Sequence, residues 1–239
     1  DIVVDTPQCL FTDLKPKTDY YVYVQSDCGA WSDNVVQFTT RDMWLIGYTD
    51  DFSSYDGKIP TEDWLGGFRY SATGEEGTTA SYLPKINTSS SNNNGTDGIG
   101  ALYLNNTVSY NPYIIFPEIN VDRIQDVQFE FYAKMASDIQ GMVISVCDKL
   151  DLSTAVPVDT IYPGEEGVYE RHIITFENYK GDGKHIAISA KMTERAEESN
   201  GCYFDNFRVD SLQICNPPQG VRAIDIKAES AVIRWNNAK

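Results

Sequence analysis

Polar and apolar residues alternate along much of the chain. In Val127-Gln128-Phe129-Glu130-Phe131-Tyr132-Ala133 the odd positions are apolar, and Gln128 and Glu130 fall between them. Within residues 184–192, Ile186, Ile188, Ala190 and Met192 share one face. A period of two sets one side of a strand on a core and the other in water. Further short apolar runs lie at 101–104, 113–116, 142–146, 168–176 and 203–209. Turn-formers separate them: Gly57, Pro60, Gly66-Gly67, residues 92–95, Gly164, Gly167, Gly181 and Gly183. Only residues 193–198 have helical character, and that stretch is too short to carry much. Many short strands at this spacing predict an all-β chain, a β-sandwich or jelly roll.

Three regions separate. Residues 1–41 hold two dense strand patterns, at 20–25 and 34–38. Residues 45–214 hold the long β series. Residues 216–239 open on Asn216-Pro217-Pro218, a stiff extended linker signal, and then show strand patterns at 221–226 and 231–235. The polar tract 87–97 reads as a surface loop. The 239 residues suffice for one large domain or two small ones.

Charge narrows the partners. Asp plus Glu is 35 and Lys plus Arg is 19, for a formal charge of −16. Such a chain repels phosphate backbones and anionic lipid, so nucleic acid is excluded as a partner. No stretch approaches the roughly 18 apolar residues of a membrane span, so membrane insertion is not expected. The acidic surplus fits cation binding or the solvated surface of a secreted protein. Five cysteines, Cys9, Cys28, Cys147, Cys202 and Cys215, form no CxxC pair, which argues against a zinc or redox motif. Cys9 and Cys28 are candidates to pair. Cys147 and Cys202 either pair or serve as buried small hydrophobes.

Several motifs resemble known modules. Leu14-Lys15-Pro16-Lys17-Thr18-Asp19-Tyr20-Tyr21-Val22-Tyr23-Val24, then Cys28-Gly29 and Phe38-Thr39-Thr40, resemble the C-terminal half of a fibronectin type III module. The tail, from Cys215-Asn216-Pro217-Pro218 to Ser230-Ala231-Val232-Ile233-Arg234-Trp235, resembles the first strands of a following one. The resemblance implies that Cys28 and Cys215 find their partners outside this chain. The central region resembles the cleaved-adhesin and MAM-like jelly rolls of secreted Bacteroidetes proteins. Asp51-Phe52, Ile59-Pro60 and Trp64 match the family's opening. Leu102-Tyr103-Leu104 and Tyr113-Ile114-Ile115-Phe116-Pro117 match inner strands, and Cys202-Tyr203-Phe204-Asp205-Asn206-Phe207-Arg208-Val209 matches the closing strand. Ser53 stands where the family often has Glu. The implied fold is a jelly-roll β-sandwich of the concanavalin or galactose-binding-like kind, flanked by partial fibronectin type III segments. The implied location is secreted or on the cell surface, associated with an outer membrane.

Two chemistries are candidates. Calcium takes six to eight oxygens, from carboxylates and carbonyls. First and last strands pair in jelly rolls, so Asp50 or Asp51 is expected to meet Asp205 at that seam in a structural calcium site. Asp205 lies between Phe204 and Phe207, where an unpaired carboxylate costs several kcal/mol. Either a cation or hydrogen bonds at a bulge must offset this. The second chemistry is carbohydrate binding. Trp64, Tyr110 and Tyr113, with Tyr70 and Tyr82, are candidates for an aromatic platform against sugar C–H faces. The plainer reading makes them core and cross-strand pairs. Catalysis has no support: there is no GxSxG, HExxH or Gly-rich phosphate loop, and no catalytic residue is assigned. The expected role is non-catalytic adhesion to a glycan or host surface protein, beside neighbouring modules of the same chain. The alternative is a spacer or accessory region of a larger secreted protease or glycoside hydrolase.

Overall fold

The alternating segments form the strands of two antiparallel sheets, seen in a computed structural model that describes residues 2–88, 96, 100–107, 109–135, 141–162, 167–190, 200–213, 219–224 and 226–236. The strands are β1 (Asp19–Val22), β2 (Val36–Thr39), β3 (Met43–Trp44), β4 (Thr49–Asp50), β5 (Leu65–Tyr70), β6 (Lys85–Asn87), β7 (Ala101–Asn106) and β8 (Tyr110–Ile119). They continue as β9 (Val127–Met135), β10 (Met142–Cys147), β11 (Val156–Ile161), β12 (Glu170–Thr175), β13 (His185–Ala190), β14 (Asn200–Ser211), β15 (Gln219–Ile224) and β16 (Val232–Asn236). The helix-like stretch 193–198, the turn 92–95, Gly164 and Cys215 lie outside the described residues.

The chain divides into two units, Asp1–Met43 and Trp44–Lys239. In the first, β1 pairs antiparallel with β2, Asp19 opposite Thr39 and Val22 opposite Val36. Tyr20 stacks on Phe38 at 5.7 Å, and its hydroxyl accepts the Lys15 N–H at 2.8 Å. That bond ties the strand to the chain five residues upstream. None of the unit's described residues is fully buried.

The second unit holds the two large sheets. One runs β11-β10-β13-β8, with β5 along the far side of β8 and Trp44 accepting the Asn120 N–H at 2.8 Å. The other runs β12-β9-β14-β7-β6, and β4 joins the distal half of β14. β15 and β16 form a two-stranded sheet of their own. Side chains from both large sheets meet in one core. Ile114, Phe116, Ile144, Val146, Ile186 and Ile188 come from the first; Leu102, Leu104, Phe129, Phe131, Ile174 and Phe204 come from the second. Each large apolar side chain so buried stabilises by roughly 1.5–3 kcal/mol. A β-sandwich is therefore the architecture of this unit.

Among the register shifts of the sandwich, the one in β14 lies at the candidate seam. Phe204 stands opposite Ala133 and Asp205 opposite Tyr132, but the next partners are Arg208 and Glu130. Asn206 and Phe207 thus face the single residue Phe131, which is a β-bulge. Asn206 adopts φ +52°, the left-handed conformation that Asn tolerates better than most residues. The extra residue resets the phase, so Phe204 and Phe207 both point inward. Phe207 then packs against Phe52 at 4.9 Å, Phe129 at 5.0 Å and Phe116 at 5.3 Å, between ring centroids.

One turn expectation gives way. Gly66 and Gly67 lie inside β5, not at a turn. A Cβ at Gly67 would collide with the ring and hydroxyl of Tyr113, so the glycine permits that aromatic to lie across the strand. β11 accommodates Pro157 because it is an edge strand, where the missing N–H costs no ladder bond. The cysteines of the sandwich are buried small hydrophobes. Cys202 sits in the main core, while Cys147 joins Tyr113, Ile115 and Ala187 in a second cluster. Cys9 and Cys28 are exposed free thiols.

Phe207→Ala should remove about 3–5 kcal/mol of stability, read as a lower urea midpoint with unchanged slope. A loss under about 1 kcal/mol would mean that the bulge does not place this ring in the core.

Candidate functional site

The seam between first and last strands is present: Asp50 of β4 stands opposite Phe207 of β14. Its acids are engaged separately. Asp50 Oδ2 accepts from the hydroxyls of Tyr48 at 2.8 Å and Tyr55 at 2.6 Å, and Oδ1 accepts the Phe52 N–H at 2.9 Å. That last bond closes a turn holding Phe52 at φ +55°, with its ring fully buried. Asp51 faces solvent, and its Oδ1 accepts from the Ser53 hydroxyl at 2.6 Å and the Ser53 N–H at 3.0 Å. Those bonds, the hydroxyl's first, hold Asp51 below the usual carboxylate range.

Asp205 has no exposed surface. Its Oδ2 accepts the Thr96 N–H at 2.6 Å and the Thr96 hydroxyl at 2.8 Å, and its Oδ1 accepts the Asn206 N–H at 2.7 Å. Asn206 Nδ2 donates in turn to Thr96 Oγ1 at 2.5 Å. A carboxylate has about four lone-pair sites. Three are taken by donors of the chain at Asp50, and at least three at Asp205. This donor set suits a hydrogen-bonded bulge. No cluster of three or more His, Cys, Asp and Glu side chains able to hold a metal occurs among the described residues.

The candidate aromatics separate into core and surface. Trp64 is only 3% exposed and meets Phe116 edge-on at 5.1 Å and Trp44 at 5.9 Å, so it offers no face to a ligand. Tyr113 is buried at 6% exposure, and its hydroxyl donates to Glu76 at 2.8 Å. Burial first, and then that bond, push its phenol far above the ordinary range. Tyr110 differs. It stacks on Tyr82 with centroids 3.7 Å apart and lies 5.6 Å from Tyr70, which is exposed. Phe68 packs beneath all three at 5.4–5.7 Å. Tyr110, not Trp64 or Tyr113, therefore belongs to an aromatic group that reaches the surface, and its companions are Tyr70 and Tyr82.

His172, Cys147 and Cys202, whose proton affinity burial alters strongly, are packing residues. His172 stacks on Phe131 at 5.4 Å, and burial pushes its pKa down to about 4. Burial pushes the Cys147 thiol up to about 11 and Cys202 well above its usual value, which leaves both inert. A second aromatic group was not anticipated: Tyr103 and Tyr203, adjacent on β7 and β14 with centroids 4.7 Å apart. Each stands alone between apolar neighbours, Leu102/Leu104 and Cys202/Phe204, and that isolation is the signal that marks an outward face.

The chain matches no protein-family profile and no curated protein. Solved structures to which it is similar include a cleaved adhesin domain of Lys-gingipain from Porphyromonas gingivalis (TM-score 0.48, 11% identity, 70% of this chain and 98% of that one). Another is a carbohydrate-binding module in complex with β-1,4-galactotriose (TM-score 0.41, 12% identity, 66% and 100%). A third is the glycoside hydrolase domain of Endo-D from Streptococcus pneumoniae (TM-score 0.45, 9% identity, 81% and 33%).

Thr96→Val removes one of the three donors to Asp205 and should cost about 1–3 kcal/mol in urea unfolding. An unchanged midpoint would show that Thr96 does not hold the buried carboxylate in solution.

Proposed function

We propose that this chain is a non-catalytic binding module of a secreted or cell-surface protein, and that its ligand is a glycan. The observation that carries this is the surface group Tyr70, Tyr82 and Tyr110. Three phenols pack face and edge around the end of β5 and β8, with Phe68 as their floor. Their mutual packing limits rotamer freedom, so little side-chain entropy is lost when a flat ligand stacks on them. The hydroxyls at the rim add hydrogen bonds to sugar oxygens.

Several features support the rest of the reading. Burial is the first cause of the strong shifts at Tyr113, Cys147, His172 and Cys202, which suits packing roles for these groups. The β1–β2 pair, with the Tyr20 hydroxyl tied back to Lys15, supports residues 1–41 as the end of a fibronectin type III module. The β15–β16 pair supports residues 216–239 as the start of another. No helix among the described residues is long and apolar enough to cross a membrane. In our reading the seam is held by hydrogen bonds to Asp50 and Asp205 and needs no calcium.

A glycan array probed with this chain, then repeated with Tyr82→Ala and Tyr110→Ala, tests the proposal. One glycan class should be retained by the parent and weakened tenfold or more by either variant, about 1.4 kcal/mol. An array with no binding, or binding that both variants keep, would overturn it and favour the spacer role.

A further inference from the structure

A row of five side chains crosses the outer face of the second sheet from edge to edge. Lys85 of β6 pairs in register with Tyr103 of β7, Tyr103 with Tyr203 of β14, and Tyr203 with Lys134 of β9. Tyr169, just before β12, completes it. The contacts follow the register. Lys85 Nζ lies 5.4 Å from the Tyr103 ring centroid, and Tyr103 lies 4.7 Å from Tyr203. Lys134 Nζ sits 5.1 Å from the Tyr203 centroid and 4.8 Å from that of Tyr169. Strands about 4.8 Å apart make this row roughly 19 Å long.

We propose that this row binds an anionic oligosaccharide, one bearing carboxylate or sulfate groups. Charge is the first argument. The chain carries −16, yet these two ammonium groups stand in a row that contains no carboxylate. Neither forms an ion pair with a described residue, whereas nearby Arg171 is bound by both oxygens of Glu130. The lysines are held by ring faces, which fixes the ammonium groups without neutralising them.

The hydrogen-bonding character is the second argument. Burial pushes the Tyr103 phenol up to about 12 and also raises that of Tyr203, so both keep their protons. An ammonium group donates three hydrogen bonds and accepts none. Such a strip favours a ligand rich in acceptors. The third argument is shape. A Cβ at Gly201 would come within 2.5 Å of the Tyr103 ring, so the glycine lets Tyr103 lie over the adjacent strand. The two tyrosine rings lie against each other at a tilt of 33°, with one ammonium group over each, which sets a compact polar-edged strip between two cations. Single-stranded nucleic acid carries the same acceptor-rich, anionic chemistry, so an oligodeoxynucleotide that binds as tightly as the acidic sugar would overturn the proposal.

This site lies on the other sheet from the Tyr70–Tyr82–Tyr110 group and does not depend on it. The test is calorimetric titration of the intact chain with three probes: an oligogalacturonate, a heparin-derived oligosaccharide and a neutral malto-oligosaccharide. At least one acidic probe should bind, the neutral one at least tenfold more weakly. Lys85→Gln with Lys134→Gln should weaken the acidic probe tenfold or more, and raising salt from about 0.05 to 0.5 M should do likewise. Lys85→Gln alone, at an exposed position, should give a smaller loss without changing the melting temperature. Tyr82→Ala should bind the acidic probe as the parent does. Whichever acidic probe binds distinguishes carboxylate from sulfate recognition. Equal binding of neutral and acidic probes, no binding of either acid, or undiminished binding by the lysine variants would overturn the proposal.

Discussion

The buried carboxylate of Asp205 is the constraint on which the sandwich turns. A charge with no solvent contact costs several kcal/mol unless donors surround it. Two N–H groups and a hydroxyl do so, from Thr96 and from Asn206 beside it. They hold the closing strand in a bulge, and Asn206 takes the left-handed conformation the bulge requires. Removing the acid takes the shared acceptor from all three donors at once, so the arrangement holds as a set.

The bulge has consequences at both ends of the strand. Before it, β14 pairs with β7; after it, β4 takes that place. The phase reset turns Phe207 into the core, where it meets Phe52, Phe116 and Phe129. Trp64 joins the same aromatic group through Phe116 and Trp44. Of the three residues singled out as ligand contacts, Trp64 turns into this core and Tyr113 is buried in the separate cluster with Ile115, Cys147 and Ala187. The outer faces carry what is left for recognition: the tyrosine group by β5 and β8, and the tyrosine–lysine row across β6, β7, β14 and β9.

Much of the fold was legible because strands write their period into the chain. The run at 127–133 lies in β9, and residues 185–190 of the run at 184–192 form β13. Gly66-Gly67 misled because a glycine in a strand and one in a turn read alike; only the Tyr113 ring lying across Gly67 tells them apart. Asp205 was legible as a residue in need of compensation, flanked as it is by two phenylalanines. The compensating donor was not, because Thr96 is 109 positions away. The lysine–tyrosine row has the same limit. Its members are ordinary outward residues until register sets them side by side. Tyr82 and Tyr110 were identified, but the burial that removes Trp64 and Tyr113 belongs to tertiary packing.

Donors of the chain hold the buried acid at its bulge, and we propose that they suffice without a metal ion. Thermal unfolding of the chain after exhaustive chelation, with and without added calcium, beside Asp205→Ala treated alike, tests it most directly. The account predicts one melting temperature for the parent in both conditions, and a lower one for Asp205→Ala in both. A calcium-dependent rise in the parent that Asp205→Ala loses would contradict it.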